Sequence, residues 1–183
     1  MRKSLFLIAA GSVFVITTAL PASAATSGRA EMTAMDSTGP TTTTFTVTNG
    51  ALTITTPDSV NLGSGAPGTT IGPTALGTVT VNDNRASASA NWSATVSSTD
   101  FSSGSQTIPA TDATYTTGAV TKTGTITITS DPGLTLEGAA QTVVSGTAGS
   151  GNNSAAWDPT IAIAVPAAAV AGLYSGTITH SVS

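Results

Sequence analysis

Along much of this chain apolar residues alternate with threonine and serine, the period-two signature of a pleated strand with one buried face. The alternation is clearest at residues 78–98, TVTVNDNRASASANWSATVSS. Val79 and Val81 alternate with threonines, Asp83-Asn84-Arg85 interrupts, and Trp92, Ala94 and Val96 then alternate with Ser93, Thr95 and Ser97. This predicts two half-buried strands joined by a polar connection. It also puts Trp92 on the same face as Ala94 and Val96, a core position unless the ring is an exposed stacking platform.

The same reading extends in both directions. Phe45-Thr46-Val47-Thr48, Asn49-Gly50 and Leu52-Thr53-Ile54 read as strand, turn and strand, a hairpin. Pro57-Asp58 breaks the second strand, and residues 61–73, with four glycines, read as a loop. Phe101 packs, residues 102–105 turn, and Ile108-Pro109 marks an edge. Tyr115 opens a short strand, and residues 124–129 form another with Ile126 and Ile128 on one face. Val143-Val144 is a short strand, and residues 146–154, rich in Gly, Asn and Ser, read as a loop. Ile161, Ile163 and Val165 alternate. Residues 166–172, PAAAVAG, are too short for a standard helix, and Tyr174, Gly176, Ile178, His180 and Val182 share one face of the last strand. Eight to ten short strands with Gly/Pro turns and no long amphipathic helix predict an all-β fold, an antiparallel β-sandwich of Ig-like or Greek-key type.

The N-terminus changes the picture of where this domain works. Arg2 and Lys3, an apolar run from Leu5 to Leu20 and Ala22-Ser23-Ala24 form the three regions of a cleaved secretory signal. The expected organisation is a signal peptide over 1–24, a flexible leader over 25–43 and one β-sandwich domain over 44–183. Cleavage removes two of the five basic residues from a chain whose net charge is already −4. A sparse acidic surface argues against nucleic acid and anionic lipid, which need clustered Lys and Arg. No second apolar run approaches the ~20 residues of a spanning helix, so no membrane span is expected after cleavage. With no sorting tail after the last strand, any attachment to a cell is expected to be non-covalent. The chain has no cysteine, so no disulfide, thiol nucleophile or lipidated N-terminal cysteine is available.

Candidate chemistry is thin. His180 is the only histidine; it has no singled-out serine for a triad and no companions for zinc, and its parity with Ile178 and Val182 makes it semi-buried. Asp58, Asp131 and Asp158 each sit beside a proline, where turn chemistry accounts for them. The glycines of residues 63–72 lack a P-loop lysine. No enzyme activity, metal or cofactor is therefore expected. Asp83 and Arg85, two apart on an extended segment, read as a local ion pair or a small binding site.

The string VTVNDNRASASANWSATVSSTDF, followed by VPAAAVAGLYSGTITHSVS, resembles the WxL-domain family of Gram-positive cell-surface proteins. In that resemblance Trp92-Ser93-Ala94 stands at the Trp-x-Leu motif and Tyr174 to Val182 at the distal motif. Ala94 replaces the motif's leucine, and His180 stands where a second tryptophan is expected. The likeness is thus to a divergent, WxL-like branch, and the Lys-poor, Ala/Thr/Gly-rich composition suggests an actinobacterial one. The resemblance implies non-covalent association with the cell wall, with peptidoglycan or other surface proteins as partners. Asp83, Arg85, Trp92, Tyr174 and His180 are the candidate binding residues. A second reading is a structural subunit of a surface layer or fibre, self-associating when the Thr-rich stretch 41–48 pairs with a neighbour's strand edge.

Overall fold

A computed structural model describes residues 38–183; the signal peptide expected over 1–24, and the leader up to residue 37, lie outside the described residues. Phe45–Ser183 forms one unit. Its spine is a ribbon of two unusually long antiparallel strands, β3 (Val79–Ser98) and β10 (Gln141–Trp157). Their register runs from Trp157 opposite Val79 to Gln141 opposite Val96, with slips between Gly146 and Gly149, Gly149 and Gly151, and Gly151 and Asn153. Such slips are bulges, which bend a ribbon and increase its twist. Ala86 (φ 51°) and Ala148 (φ 54°) take left-handed backbone there, an uncommon conformation for a residue with a Cβ.

Shorter strands complete two sheets. The first has the order β1-β3-β10-β7, where β1 is Leu52–Thr55 and β7 is Val120–Thr123. The long strands have room for a second partner each: β12 (Ile178–Val182) also pairs with β3, and β8 (Thr127–Ser130) with β10. The second sheet has the order β2-β11-β6-β9, from Thr70–Ala75, Thr160–Ala164, Ala113–Thr116 and Leu134–Thr135. A small hairpin, β4 (Phe101–Ser103) with β5 (Gln106–Ile108), stands apart from both. Every pairing is antiparallel. The sheets pack face to face around one apolar core, so the fold is the all-β sandwich expected from the alternation.

Four local expectations are corrected. Asp83-Asn84-Arg85 is not a connection between two strands but part of the continuous β3. Residues 146–154 are not a loop but the middle of β10. Gly146 lies opposite Trp92, and a Cβ built on it would be 2.5 Å from both the Trp92 ring and Ile126. The glycine is therefore where a neighbour's ring lies over the backbone, not where the strand ends. The hairpin across Asn49-Gly50 does not form either: residues 38–51 hold no strand, and β1 pairs with β3 instead. The predicted loop at 61–73 gives way to β2 from Thr70. Residues 166–172 form no helix, as expected, and among the described residues no helix is long and apolar enough to cross a membrane.

Trp92 is 4% exposed and sits with Ala94 and Val96 in the core. Removing it leaves a large cavity, so Trp92→Ala is expected to lose about 3–5 kcal/mol of stability. Gly146→Ala, which forces atoms into occupied space, is expected to lose about 1–3 kcal/mol. Urea denaturation of both variants checks this, and wild-type stability in either would contradict the packing described.

Candidate functional site

The five candidate residues separate into three places. Asp83 continues the inward parity of Val79 and Val81, so its carboxylate faces the interior and has no solvent exposure, while the Arg85 side chain is 35% exposed. Burying a carboxylate is unfavourable unless it is paired and hydrogen-bonded. Here Arg85 Nε donates to Asp83 Oδ1 at 2.8 Å, Arg85 Nη2 to Oδ2 at 2.8 Å, and the Arg85 backbone N–H to Oδ1 at 3.1 Å. These hydrogen bonds from Arg85 hold the Asp83 carboxyl below the usual carboxylate range, against the effect of burial. Arg85 Nη2 also donates to the Asn91 carbonyl at 2.9 Å, and the Asn91 side chain accepts the Ala148 N–H at 3.1 Å. The pair therefore clamps the bend of the ribbon through Nε and Nη2 of Arg85, while Nη1 makes no hydrogen bond to the described residues.

Trp92 is corrected as a binding candidate: a ring buried between the sheets offers no face to a ligand. Its indole Nε1 is buried without a hydrogen-bond partner among the described residues.

Tyr174 and His180 do come together, along the wall of a groove of about 890 Å³. Ile178 and His180 of β12 form one side, and Ile71 of β2 with Ile163 of β11 forms the other. Phe101 and Ile108 of the small hairpin also line it, and the segments 56–65 and 169–178 make its rim. The groove thus lies between the two sheets, between β12 and β2. The alternation from Ile178 to Val182 turns His180 inward, as its parity predicts. Its Nε2 lies 3.1 Å from the Tyr115 hydroxyl, which also accepts the Trp157 indole N–H at 3.0 Å. The direction of that bond follows the imidazole tautomer: Nε2 accepts the hydroxyl proton when the ring proton is on Nδ1, and donates to the hydroxyl oxygen when it is on Nε2. Burial lowers the His180 pKa to about 4 and raises that of Tyr115 to about 12.

Asp58 is the one carboxylate lining the groove, so it contains no carboxylate pair for acid–base work. The Tyr174 hydroxyl is taken up by the Val170 carbonyl at 2.9 Å. Among the described residues no group of three His, Asp or Glu side chains could hold a metal ion. Sequence reasoning missed Phe101, Ile71 and Ile163 as members of the groove and Tyr115 as the partner of His180. Phe101, Tyr115 and Ile163 carried ordinary strand or packing signals and Ile71 fell in an expected loop; only the packing of the second sheet and the small hairpin brings them to this place. No family model, no curated protein and no solved structure matches this chain.

Two predictions follow from these contacts. Arg85→Met leaves the buried Asp83 carboxylate unpaired, and is expected to lose about 1–3 kcal/mol at neutral pH. Because Asp83 titrates lower in the folded than in the unfolded chain, the wild-type advantage is full above about pH 4. It disappears as the pH falls through the depressed native value. Urea titrations at pH 7 and pH 3 measure it; an equal loss at both would contradict the ion-pair assignment.

His180 is also depressed in the folded state, from 6.5 to about 4. Between those values the unfolded chain takes up a proton that the folded one does not, so stability is full above about pH 6.5 and falls toward pH 4. The limit of that loss is roughly 3 kcal/mol before solvent screening of the half-buried ring. His180→Gln is expected to flatten the slope across this window in a melting-temperature series, and an unchanged slope would contradict the assignment.

Proposed function

We propose that the protein is a secreted, non-enzymatic component of the bacterial cell surface, held non-covalently at the wall, with the groove as its docking site. The observation that carries the reading is where the distal WxL-like motif falls: Tyr174, Ile178 and His180 line the groove. The residues on which the resemblance rests thus include those forming the principal concave surface described here. Concave, mostly apolar clefts with a few oriented polar groups are the usual form of a binding site. The walls favour a polypeptide over a glycan, because they are mostly apolar and the one tyrosine hydroxyl is already bonded within the chain. The secretory N-terminus, the absence of a second long apolar run and the WxL-like motifs support a place outside the membrane and a non-covalent hold on the wall.

The expected outcome is that the protein sediments with purified Gram-positive walls at low and moderate salt, and that urea releases it at unchanged mass. Full recovery in the supernatant at both salts would overturn wall association. A species of raised mass, released only by wall hydrolases, would overturn the non-covalent attachment.

A further inference from the structure

We propose that the groove takes the segment Phe45-Thr46-Val47-Thr48 of a second copy of this chain, docked as an extended strand. The inference rests on reading the groove as a docking site for polypeptide, and it names the partner.

The segment has the sequence of a half-buried strand but nothing to bury against. Phe45 is 88% and Val47 74% exposed, and residues 38–51 hold no strand. Two apolar residues at i and i+2 project to the same side of an extended chain. An exposed aromatic and valine on one face form the surface that a strand-receiving groove covers.

The direction of the chain keeps the segment from its own groove. The Gly50 N–H donates to the Asn84 carbonyl at 2.7 Å, and the Asn84 N–H to the Ala51 carbonyl at 3.0 Å. These bonds continue the β1–β3 ladder beyond Leu52, so the chain preceding Gly50 heads away from the Thr55 end of β1. The groove begins at that other end, where Thr56 is part of its rim. Folding back would need the Asn49-Gly50 turn, and the Gly50 N–H is already committed to Asn84. A neighbouring molecule carries no such constraint.

The receiving surface matches in chemistry and in backbone pairing. Residues 38–51, TGPTTTTFTVTNGA, contain no charged side chain, so burying them desolvates no charge. β12 is an outer strand of its sheet. Ser93 and Ser183 exchange both backbone bonds, at 2.9 and 3.1 Å, and the Thr99 N–H donates to the Thr177 carbonyl at 3.0 Å. In an antiparallel ladder this parity turns the N–H and C=O groups of Ile178, His180 and Val182 toward the free side. No described residue pairs with them. An incoming strand finds backbone partners along β12 and apolar space for Phe45 and Val47 beside it. Donor segment and groove are different surfaces, so the contact is head-to-tail and builds chains or closed rings.

The test is sedimentation velocity over a concentration series, with the wild-type protein and two variants. Phe45→Asp/Val47→Asp removes the donor at exposed positions, and Ala171→Trp fills the groove from an exposed position on its rim. Wild-type mass is expected to rise with concentration, and each variant alone to associate at least about tenfold more weakly. Mixing the two variants is expected to give a heterodimer and nothing larger, since one retains a groove and the other a donor segment. A wild-type monomer throughout the series, or unchanged association of the donor variant, would overturn the proposal. So would a lower melting temperature of the donor variant at constant monomer mass, which would assign the segment to its own domain. Wall sedimentation of the donor variant, run in parallel, keeps the two readings apart: a monomeric wild type that still sediments with walls rejects only the partner named here.

Discussion

One hydroxyl group joins the parts of this structure that sequence keeps apart. Tyr115 belongs to the second sheet, and its oxygen meets the Trp157 indole and the His180 imidazole, both from the first. Trp157 stands opposite Val79 at one end of β3, and His180 opposite Val96 near the other. Both halves of the bent ribbon thus converge on one buried point. Away from water the Tyr115 hydroxyl and the Trp157 indole would be costly to leave unpaired, and His180 joins them from the wall of the groove. The chain has no disulfide to hold its layers. The apolar core supplies the cohesion, and this small polar chain links the two sheets across it.

The fold class was legible because alternation is a local signal: Trp92, Ala94 and Val96 are buried as their spacing requires, and His180 turns inward with Ile178 and Val182. The illegible parts depend on partners far along the chain. Asp83-Asn84-Arg85 looks like a turn because a charge rarely sits on a core-facing position, and here Arg85 makes that position tolerable from within the same strand. Residues 146–154 look like a loop because glycine has poor strand propensity. What compensates at Gly146 is the Trp92 ring, more than fifty positions earlier in the chain. The site divides in the same manner. Tyr174 and His180 could be singled out from the sequence, whereas Ile71, Phe101 and Ile163 join them only through the packing of two sheets and a hairpin.

Strand edges explain how the few charges are used. Soluble β proteins commonly shield exposed edges with lysine, glutamate or proline, yet charged residues make up only 8% of this chain. Between the stretches of β3 paired with β1 and with β12, Arg85 reaches across and occupies the Asn91 carbonyl. That length of edge is closed by a side chain, while the free side of β12 is not. The contrast makes the open edge beside the groove a local property, not a general feature of a threonine-rich surface.

The spacing of paired strands along the chain sets the order in which the fold can assemble. β3 finds its long partner only in β10, and the Tyr115 hydroxyl finds its two partners only at Trp157 and His180. Such distant pairings close slowly, because the loop entropy is lost before the contacts form. As the chain is made from its N-terminus, β1 and β3 emerge with nothing but each other, too little for a stable sheet. β12 completes the first sheet only once the chain has been made through Val182, and until then Ala94 to Ser98 of β3 have no strand along their second edge.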